Sequence, residues 1–395
     1  MSTDFPHATR LGVGENFADL AAGELQRERE GFPPTAQVRA LAATGYAALR
    51  LPPRLGGRGI SIRELVELTV ELGSADSHAA HALRNAFLFA ESAMLDEELH
   101  ARWLPGLAAG QLVGLGFGEA EMPRAGAAEF LTSVRPEGSG FVLDGVKLYS
   151  TGNAYCDLVL VQAREPDGEV AHVVVPVDRE GVEILDDWDG IGQRFTASGT
   201  TRFHQVRVEA EEVLTSAQLA ARPSRRSTER ASPLAQVYLT AVVAGIVAGA
   251  AREAVGLVVG RGRNYYHGTA EKPRDDAMVQ AVVGKLSADA FATRATVLAA
   301  AESLDAALEV GTTAALEAAS FDAARAKVVV DEIATRATAA LLDAGSASAI
   351  RSGLALDRFW RNARTLVAHN PTSYKQRVIG DHLLNSTPPP NGSFF

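Results

Sequence analysis

One stretch near the end of the 395-residue chain combines a basic segment with a histidine and contains no carboxylate. It reads Arg361-Asn-Ala-Arg-Thr365, followed after three residues by His369-Asn-Pro-Thr-Ser-Tyr-Lys375. An imidazole titrates near neutrality, so at pH 7 it can donate a hydrogen bond or transfer a proton, tasks that a carboxylate performs poorly. This makes His369 the primary catalytic candidate, although a histidine that caps a helix beside Pro371 would give the same pattern.

Several other chemistries lack their sequence patterns. The chain has no Gly-x-Gly-x-x-Gly opening a helix after a strand, no P-loop lysine, no Gly-x-Ser-x-Gly and no His-Glu-x-x-His. Cys156 is the only cysteine, which excludes an internal disulfide and predicts a buried structural thiol. His78 and His81 lie three apart on a predicted helix and could share a metal, but a hydrogen-bonded pair is commoner. We therefore expect no metal site.

Composition narrows the class of protein. With 47% apolar and 22% charged residues the chain can bury a large core. A net charge of −10, without a long basic block, argues against nucleic-acid binding. The longest apolar run, 238–251, is too short to span a bilayer, and the first ten residues lack the apolar core of a signal peptide. We expect a soluble, cytoplasmic protein with no membrane contact.

Hydrophobic spacing divides the chain into three parts that would position the candidate residues. Residues 1–113 show helical periodicity, 114–215 show short alternating runs separated by Gly, Asp and Pro, and 216–395 contain long Ala-rich helical segments. The predicted long helices cover roughly 233–260, 275–308 and 314–342. The predicted fold class is α+β, mainly α: a helical domain, a β domain and a helical bundle.

Several segments carry a family resemblance. They are Leu51-Pro-Pro-Arg-Leu-Gly-Gly-Arg-Gly59, Gly118-Glu119 followed by Pro123, Gly145-Val-Lys-Leu-Tyr-Ser-Thr-Gly-Asn153, and Trp188-Asp-Gly-Ile-Gly-Gln-Arg-Phe-Thr-Ala-Ser-Gly-Thr200. In these segments the chain resembles the acyl-CoA dehydrogenase superfamily. The resemblance implies an N-terminal helical domain, a central β-barrel-like domain and a C-terminal four-helix bundle, assembled as a homotetramer.

The resemblance also implies a flavin site. The strand that corresponds to 147–152 would lie along the flavin, with donors that suit the charge of the reduced ring. Ala344-Gly-Ser-Ala-Ser348 replaces the family's Gly-Gly-x-Gly loop, which favours FMN over FAD. Arg261, preferred over Arg263, would reach the cofactor phosphate of a neighbouring subunit. The implied cofactor-binding residues are Tyr149, Ser150, Thr151, Trp188, Arg261, Arg263, Ser346, Ser348 and His369.

The activity within the superfamily depends on the catalytic base. A dehydrogenase needs a carboxylate to remove the α-proton, yet the last glutamate is Glu332 and no Asp or Glu lies between Glu229 and Glu253. The basic segment and His369 instead resemble the flavin-dependent, two-component (group D) monooxygenase branch. That branch is typified by dibenzothiophene monooxygenase, methanesulfinate monooxygenase and amine N-hydroxylases.

The branch implies a mechanism and further residues. Reduced FMN from a separate flavin reductase would react with O2 to a C4a-hydroperoxide, which oxygenates S, N or an electron-rich C of a small molecule. Asn85 stands where the branch has a second histidine, and His81, one turn earlier, could substitute for it or could be a core histidine. The remaining pocket candidates are Glu119, Arg194, Thr196, Ser198 and Arg364.

The prediction is therefore an FMN-dependent monooxygenase, with the substrate left open. The positive charge of Arg364 and Lys375 would suit an anionic flavin or a small acidic substrate such as a sulfinate. The first alternative is an acyl-CoA dehydrogenase with FAD and an unrecognised base, for which Asp357 or Asp381 would be candidates. The second is a noncatalytic protein of the same fold that binds a ligand or partner.

Overall fold

The computed structural model describes residues 5–120, 130–221, 227–390, 392 and 395. The predicted order of helical, β and helical parts is confirmed. Pro123, which contributes to the family resemblance, lies outside the described residues. The boundaries of the three domains, 1–113, 114–215 and 216–395, stay a prediction.

The N-terminal part is helical and begins its central helix with a capping box. Ser61 Oγ accepts from the Glu64 N–H while the Glu64 side chain accepts from the Ser61 N–H, which fixes the start of α4. The helices are α1 (Pro6–Arg10), α2 (Gly14–Glu30), α3 (Thr35–Ala42), α4 (Ile62–Ala75), α5 (Ser77–Ala82), α6 (Arg84–Leu95), α7 (Glu97–His100) and α8 (Leu104–Ala108).

The central part is one curled sheet whose strands run in the order β6-β7-β3-β2-β4-β5-β8, with β1 parallel to β4. Its strands are β1 (Val113–Gly116), β2 (Ser133–Glu137), β3 (Gly140–Lys147), β4 (Leu158–Arg164), β5 (Val170–Pro176), β6 (Val182–Ile184), β7 (Thr201–Val208) and β8 (Val213–Leu214). The alternating pattern predicted antiparallel turns, and β2–β3 and β4–β5 are antiparallel neighbours. Valine and phenylalanine side chains fill the concave core.

The C-terminal part is built on three long helices that pack against one another. Its helices are α9 (Ser216–Ala220), α10 (Ser227–Gly260), α11 (Ala277–Val310), α12 (Thr313–Gly345), α13 (Asp357–His369) and α14 (Thr372–Asn385). The shorter α13 and α14 pack on α12. The three long helices match the predicted segments to within a few residues, apart from the start of α10.

A pair of glycines lets α4 lie directly against α10. A Cβ on Gly245 would be 2.8 Å from the Cα of Gly73, and a Cβ on Gly73 would be 2.9 Å from the Val242 carbonyl oxygen. The N-terminal helices and the bundle consequently share one continuous apolar core. This close contact brings the start of α5 and α6 to the middle of α10.

Helix α10 is unusually apolar. Within the described residues, 232–260 is the one segment that is long and apolar enough to cross a membrane by length and composition. This apolar helix is longer than the run 238–251 that the sequence indicated. However, 89% of its apolar window is buried inside the protein, as in the core helix of a bundle.

Candidate active site

The segment after β3 makes a tight loop over the end of α5. Tyr149 has a left-handed backbone (φ 53°), so β3 ends at Lys147 and the predicted strand to Gly152 is too long. Gly152 is also left-handed (φ 88°), and a Cβ there would lie 2.4 Å from the Ala82 carbonyl oxygen. The loop therefore needs glycine at this point to approach the helix.

Cys156 helps to hold this loop, as the sequence predicted for a buried structural thiol. Its Sγ lies 3.2 Å from the Gly152 carbonyl oxygen, to which it donates. Burial raises the pKa of the thiol to about 12, so it stays protonated and unreactive near neutrality.

Three of the predicted residues form a chain of buried hydroxyl groups behind the loop. Thr151 Oγ1 lies 2.8 Å from Ser198 Oγ, which lies 2.7 Å from Thr196 Oγ1. Thr196 donates onward to the main-chain carbonyl of Gln193 at 2.8 Å. Ser150 is also buried. These side chains are fixed by one another, so they form a rigid polar wall.

Gln193 joins three regions of the chain and was not identified from the sequence. Its buried side chain donates through Nε2 to Ser77 Oγ (3.0 Å) and accepts at Oε1 from His81 Nδ1 (3.1 Å). Its N–H donates to Asn362 Oδ1 on α13 (2.6 Å), and its carbonyl also accepts from Trp188 Nε1 (2.9 Å). A single residue of the β domain thus ties α5 to α13.

His81 has one ring nitrogen committed and one without a partner. Because Gln193 Nε2 donates to Ser77, its Oε1 faces Nδ1 of His81, which must then carry the proton. Nε2 of His81 is buried, has no hydrogen-bond partner, and is left as an acceptor. Burial, together with the charge of Arg84 and the nearby His369, lowers the pKa of His81 well below its ordinary value. The ring is therefore neutral at pH 7.

Asn85 is buried and uses both ends of its amide. Nδ2 donates to the Thr151 carbonyl at 2.8 Å, and Oδ1 accepts from Arg84 Nε at 3.2 Å. It holds the loop after β3 against α6, which is a positioning role; the catalytic role predicted for it stays a prediction.

His81 and Asn85 were expected one turn apart on one helix face, but a break at Leu83 separates them. The hydroxyl of Tyr238 on α10 donates to the Ala80 carbonyl at 2.9 Å, the group that would otherwise accept from the N–H of residue 84. Helix α5 ends at Ala82 and α6 starts anew. The two side chains consequently leave from consecutive short helices.

These contacts form one hydrogen-bonded network between the three parts of the chain, called the junction from here on. Its members are Ser77, His81, Asn85, Thr151, Gln193, Thr196, Ser198 and Asn362.

His369 ends α13 and lines a small cavity with Thr240 and Val243 of α10. Crowding by protein atoms lowers its pKa, and the positive charges of Arg84 and Lys327 lower it further. His369 is exposed to solvent in the single chain. The charge of His369 contributes to the lowered pKa of His81, so the two rings are close enough to interact electrostatically.

The carboxylate that shares this cavity is Asp331 of α12, which sequence reasoning missed because it searched α10 and the C-terminal loop. Asp331 accepts from Lys327 Nζ at 2.7 Å and from the Thr372 hydroxyl. Burial raises the pKa of Asp331, against the attraction of Lys327. Lys375 is buried beside them, and burial lowers its pKa to about 7.

The residues predicted to hold the cofactor phosphate meet at the far end of the bundle. Arg261 Nη1 donates to the Ala344 carbonyl at 3.0 Å, and the Tyr265 hydroxyl bonds to Ser346 Oγ. Arg263 and Ser348 are exposed beside them in the chain. This group is called the bundle end and consists of Arg261, Arg263, Tyr265, Ser346 and Ser348.

The bundle end lies far from the junction within one chain. Eighteen residues of α10 and its end separate Val243, beside His369, from Arg261, which corresponds to about 27 Å along a helix. In the single chain, the bundle end and the His369 cavity therefore lie at separate levels of the bundle.

The other predicted pocket residues have local partners. Glu119 forms a buried ion pair with Lys147 (2.5 Å) and also accepts from main-chain N–H groups of 131 and 132. Arg194 is exposed, with its guanidinium 5.3 Å from the Phe195 ring centre. Arg364 is exposed and acts electrostatically on the Asp331 carboxyl. Their predicted contact with substrate stays a prediction.

An exposed tyrosine and a partly buried tryptophan lie next to the junction. Tyr149 is 70% exposed and stands edge-on to Trp188, with ring centres 6.2 Å apart. Trp188 is held by its bond to Gln193.

Among the described residues no group of three or more His, Cys, Asp and Glu side chains could hold a metal ion. His78, which the sequence paired with His81 as a possible metal ligand, lies 3.5 Å from Asp76.

Comparisons with known proteins follow the three parts of the chain. Sequence models of the acyl-CoA dehydrogenase family match here in three pieces: the N-terminal domain at 13–111, the middle domain at 118–206 and the C-terminal domain at 237–374.

Individual relatives match nearly the whole chain. Dibenzothiophene monooxygenase of Rhodococcus qingshengii is 29% identical, over 97% of this chain and 94% of the relative. The probable FMNH2-dependent monooxygenase SfnC of Pseudomonas putida is 27% identical, over 97% of both. The crystal structure of FMN-bound TdsC from Paenibacillus sp. A11-2 superposes with a TM-score of 0.87 at 27% identity, covering 96% of this chain and 98% of TdsC.

Proposed function

We propose that this chain, which belongs to the acyl-CoA dehydrogenase family and within it to the flavin-dependent monooxygenases, uses reduced FMN and O2 to oxygenate a small molecule. The oxygen acceptor is a sulfur, nitrogen or electron-rich carbon atom. A separate flavin reductase supplies the reduced FMN, and the enzyme works as a cytoplasmic homotetramer. The observation that carries the proposal is the unpartnered Nε2 of His81 in an otherwise satisfied, buried junction.

The described residues fit a flavin. The exposed ring of Tyr149, beside Trp188, suits contact with a flat ring system. When bound, reduced FMN supplies the two electrons that activate O2. His81 presents Nε2 as an acceptor for a proton-bearing oxygen, and neutral His369 provides a second imidazole for proton transfer. The hydrogen bond to Gln193 keeps the proton of His81 on Nδ1 and leaves Nε2 as the acceptor.

The bundle end supports assembly from several copies. The backbone of Arg261 lies about 27 Å along the helix from Val243, which lines the His369 cavity, and this separation supports an FMN site completed by the bundle end of a second copy. Exposed apolar side chains on the bundle, among them Met278, Phe291 and Leu384, are 69–84% exposed in the single chain. Such residues usually become buried in an interface.

The alternative of an acyl-CoA dehydrogenase requires an available carboxylate. Asp331 is the carboxylate beside the His369 cavity; its Oδ2 accepts from Lys327 and Thr372, so that Lys327 balances its charge, while its buried Oδ1 has no hydrogen-bond partner. The positive charges of Arg84 and Lys327 act on His369. The site thus favours neutral imidazole chemistry over α-proton abstraction.

The test is reconstitution with FMN, NADH and a purified flavin reductase under ¹⁸O2, with sulfur and nitrogen compounds screened by mass spectrometry. We expect a product that carries one ¹⁸O atom and forms only with the reductase present. Binding of FAD with bleaching by an acyl-CoA thioester would instead establish the dehydrogenase, and absence of any flavin binding would favour a noncatalytic role.

A further inference from the structure

Arg84, the first residue of α6, carries a charge that no carboxylate among the described residues neutralises. In the part of the chain that the structure describes, no Asp or Glu oxygen lies within 4.0 Å of its guanidinium. Its hydrogen bond is the 3.2 Å contact from Nε to Asn85 Oδ1. The buried arginines elsewhere are paired: Arg27 with Asp76 and Arg358 with Glu24, both at 2.8 Å.

The surroundings of Arg84 belong to the candidate active site. Its charge reaches both His81 and His369, and it bonds to Asn85 of the junction. Tyr238, whose hydroxyl breaks the helix just before Arg84, is its neighbour on α10. Burial lowers the pKa of the guanidinium to about 10, which still leaves it charged at pH 7.

A partly buried cation without a counter-charge destabilises a folded protein, since its desolvation is not offset by an ion pair. A neutral side chain of the same length would avoid this cost. A guanidinium at such a position is typical of a site whose anion arrives with a ligand, because its forked donors match the oxygens of an oxyanion.

We propose that Arg84 binds an oxyanion group of the substrate, a carboxylate, sulfinate or sulfonate, so that the enzyme acts on small organic anions. This inference rests on the proposed function. The FMN phosphate is a poor alternative partner, because the residues that suit it lie at the bundle end. Asn85 stands between the guanidinium and the loop at Thr151, which is the loop that would lie along the flavin ring.

The experiment measures binding rather than turnover. FMN-loaded wild-type protein is titrated by calorimetry with acetate, butanoate, benzoate and benzenesulfinate. Each acid is compared with a neutral counterpart, namely acetamide, butanamide, benzamide and methyl phenyl sulfone. We expect at least one acid to bind about 10- to 100-fold more tightly than its counterpart, the effect of hydrogen bonds to a charged group.

Variants assign this preference to Arg84. Arg84→Met should remove it, and Arg84→Lys, which keeps the charge but not the fork, should retain part of it. Arg63→Met is the matched control, because Arg63 is a surface arginine paired with Glu302. Thermal unfolding of ligand-free Arg84→Met should occur at the wild-type temperature or above, since an unpaired charge has been removed.

Three results would overturn the inference: no acid of the series binds better than its counterpart, the preference survives in Arg84→Met, or Arg84→Met unfolds at a clearly lower temperature than wild type. Displacement of FMN by the acids would also contradict it. If the protein binds no FMN, the proposed function fails, while the same titrations on the apoprotein still decide whether Arg84 binds anions.

Discussion

The junction and the bundle end differ in how completely one chain builds them. In the junction, buried side chains from three parts of the chain satisfy one another, and one ring nitrogen, Nε2 of His81, is buried without a hydrogen-bond partner. At the bundle end, Arg263 and Ser348 are exposed, and Arg261 is held through a carbonyl of α12. The junction is therefore preorganised for chemistry. We propose that the bundle end, in contrast, contributes to a site only together with a second copy of the chain.

This difference predicts different responses to mutation. Substitutions in the junction remove contacts made within one chain, so they should lower catalysis or stability whatever the state of the neighbouring subunit. Changes at the bundle end should affect cofactor affinity and leave stability unchanged.

The largest expected effect is on catalysis by His81→Ala. Removal of the unpartnered Nε2 should lower the rate of oxygen transfer by at least about 100-fold, because proton-transfer groups contribute that much or more. Oxygen uptake should then release hydrogen peroxide, while FMN affinity stays close to wild type. Product formation and peroxide are measured in the reconstituted reaction.

His204→Ala, at an exposed position on β7, is the control and should retain full activity. A normal product yield from His81→Ala would remove His81 from the mechanism. The same assay on His369→Ala shows whether the second imidazole is also needed.

The next effect is on stability. Gln193→Ala leaves Ser77 and His81 without their buried partners, so it should lower the free energy of unfolding by about 2–4 kcal/mol. Gln26→Ala, which removes an exposed bond to Glu30, should change it very little. Urea unfolding of both variants measures the difference, and equal stabilities would show that Gln193 does not join the domains.

A smaller effect is expected at the bundle end. Arg261→Ala should weaken FMN binding about tenfold through loss of a charge-assisted bond, with the unfolding temperature unchanged. Arg274→Ala, an exposed arginine in the neighbouring loop, is the control. FMN fluorescence titration measures the affinity, and an unchanged value excludes Arg261 from the cofactor site.

Mixed oligomers sharpen this result. If each site combines the junction of one copy with the bundle end of another, co-expressed His81→Ala and Arg261→Ala chains should recover activity at limiting FMN, because some sites contain neither substitution. Mixed oligomers no more active than the separate variants would place both regions in one chain's site.

The smallest effect is a pH dependence of stability. The folded protein lowers the pKa of His81 by burial, and that of His172 to about 4 by burial and the charge of His100. The unfolded chain binds protons on both rings below about pH 6.5, so stability falls as the pH drops from there towards 4, by up to about 1.4 kcal/mol per pH unit for each ring. The unfolding temperature should depend less steeply on pH in His172→Gln than in the wild type. An identical slope would show that the lowered pKa of His172 does not contribute to the pH dependence.

The sequence allowed prediction of the parts whose signal is periodic or local. Helical spacing located the long bundle helices, and alternation located the sheet, because these patterns follow from which face is buried. His81, His369, Thr151 and Ser198 were also found as site candidates. Their grouping needed the structure, since residues from 77 to 369 meet only after the helices pack.

Other features leave no sequence signal of their own. Gln193 lies in an irregular loop, and a single glutamine in a loop is normally solvated. The break between α5 and α6 depends on the Tyr238 hydroxyl, which is more than 150 residues away in sequence. Arg84 has no counter-charge among the described residues, and this can be recognised only from its neighbours in the folded chain.

The most direct test of the central claim follows the oxidation of reduced FMN on the enzyme. Anaerobic protein with reduced FMN is mixed with oxygenated buffer in a stopped-flow spectrometer, beside free reduced FMN. An oxygenase built around the junction predicts two resolved phases, in which the oxidised flavin spectrum appears later than the reduced spectrum disappears, and His81→Ala should shorten the delay. Single-phase oxidation identical to that of free FMN would contradict the account.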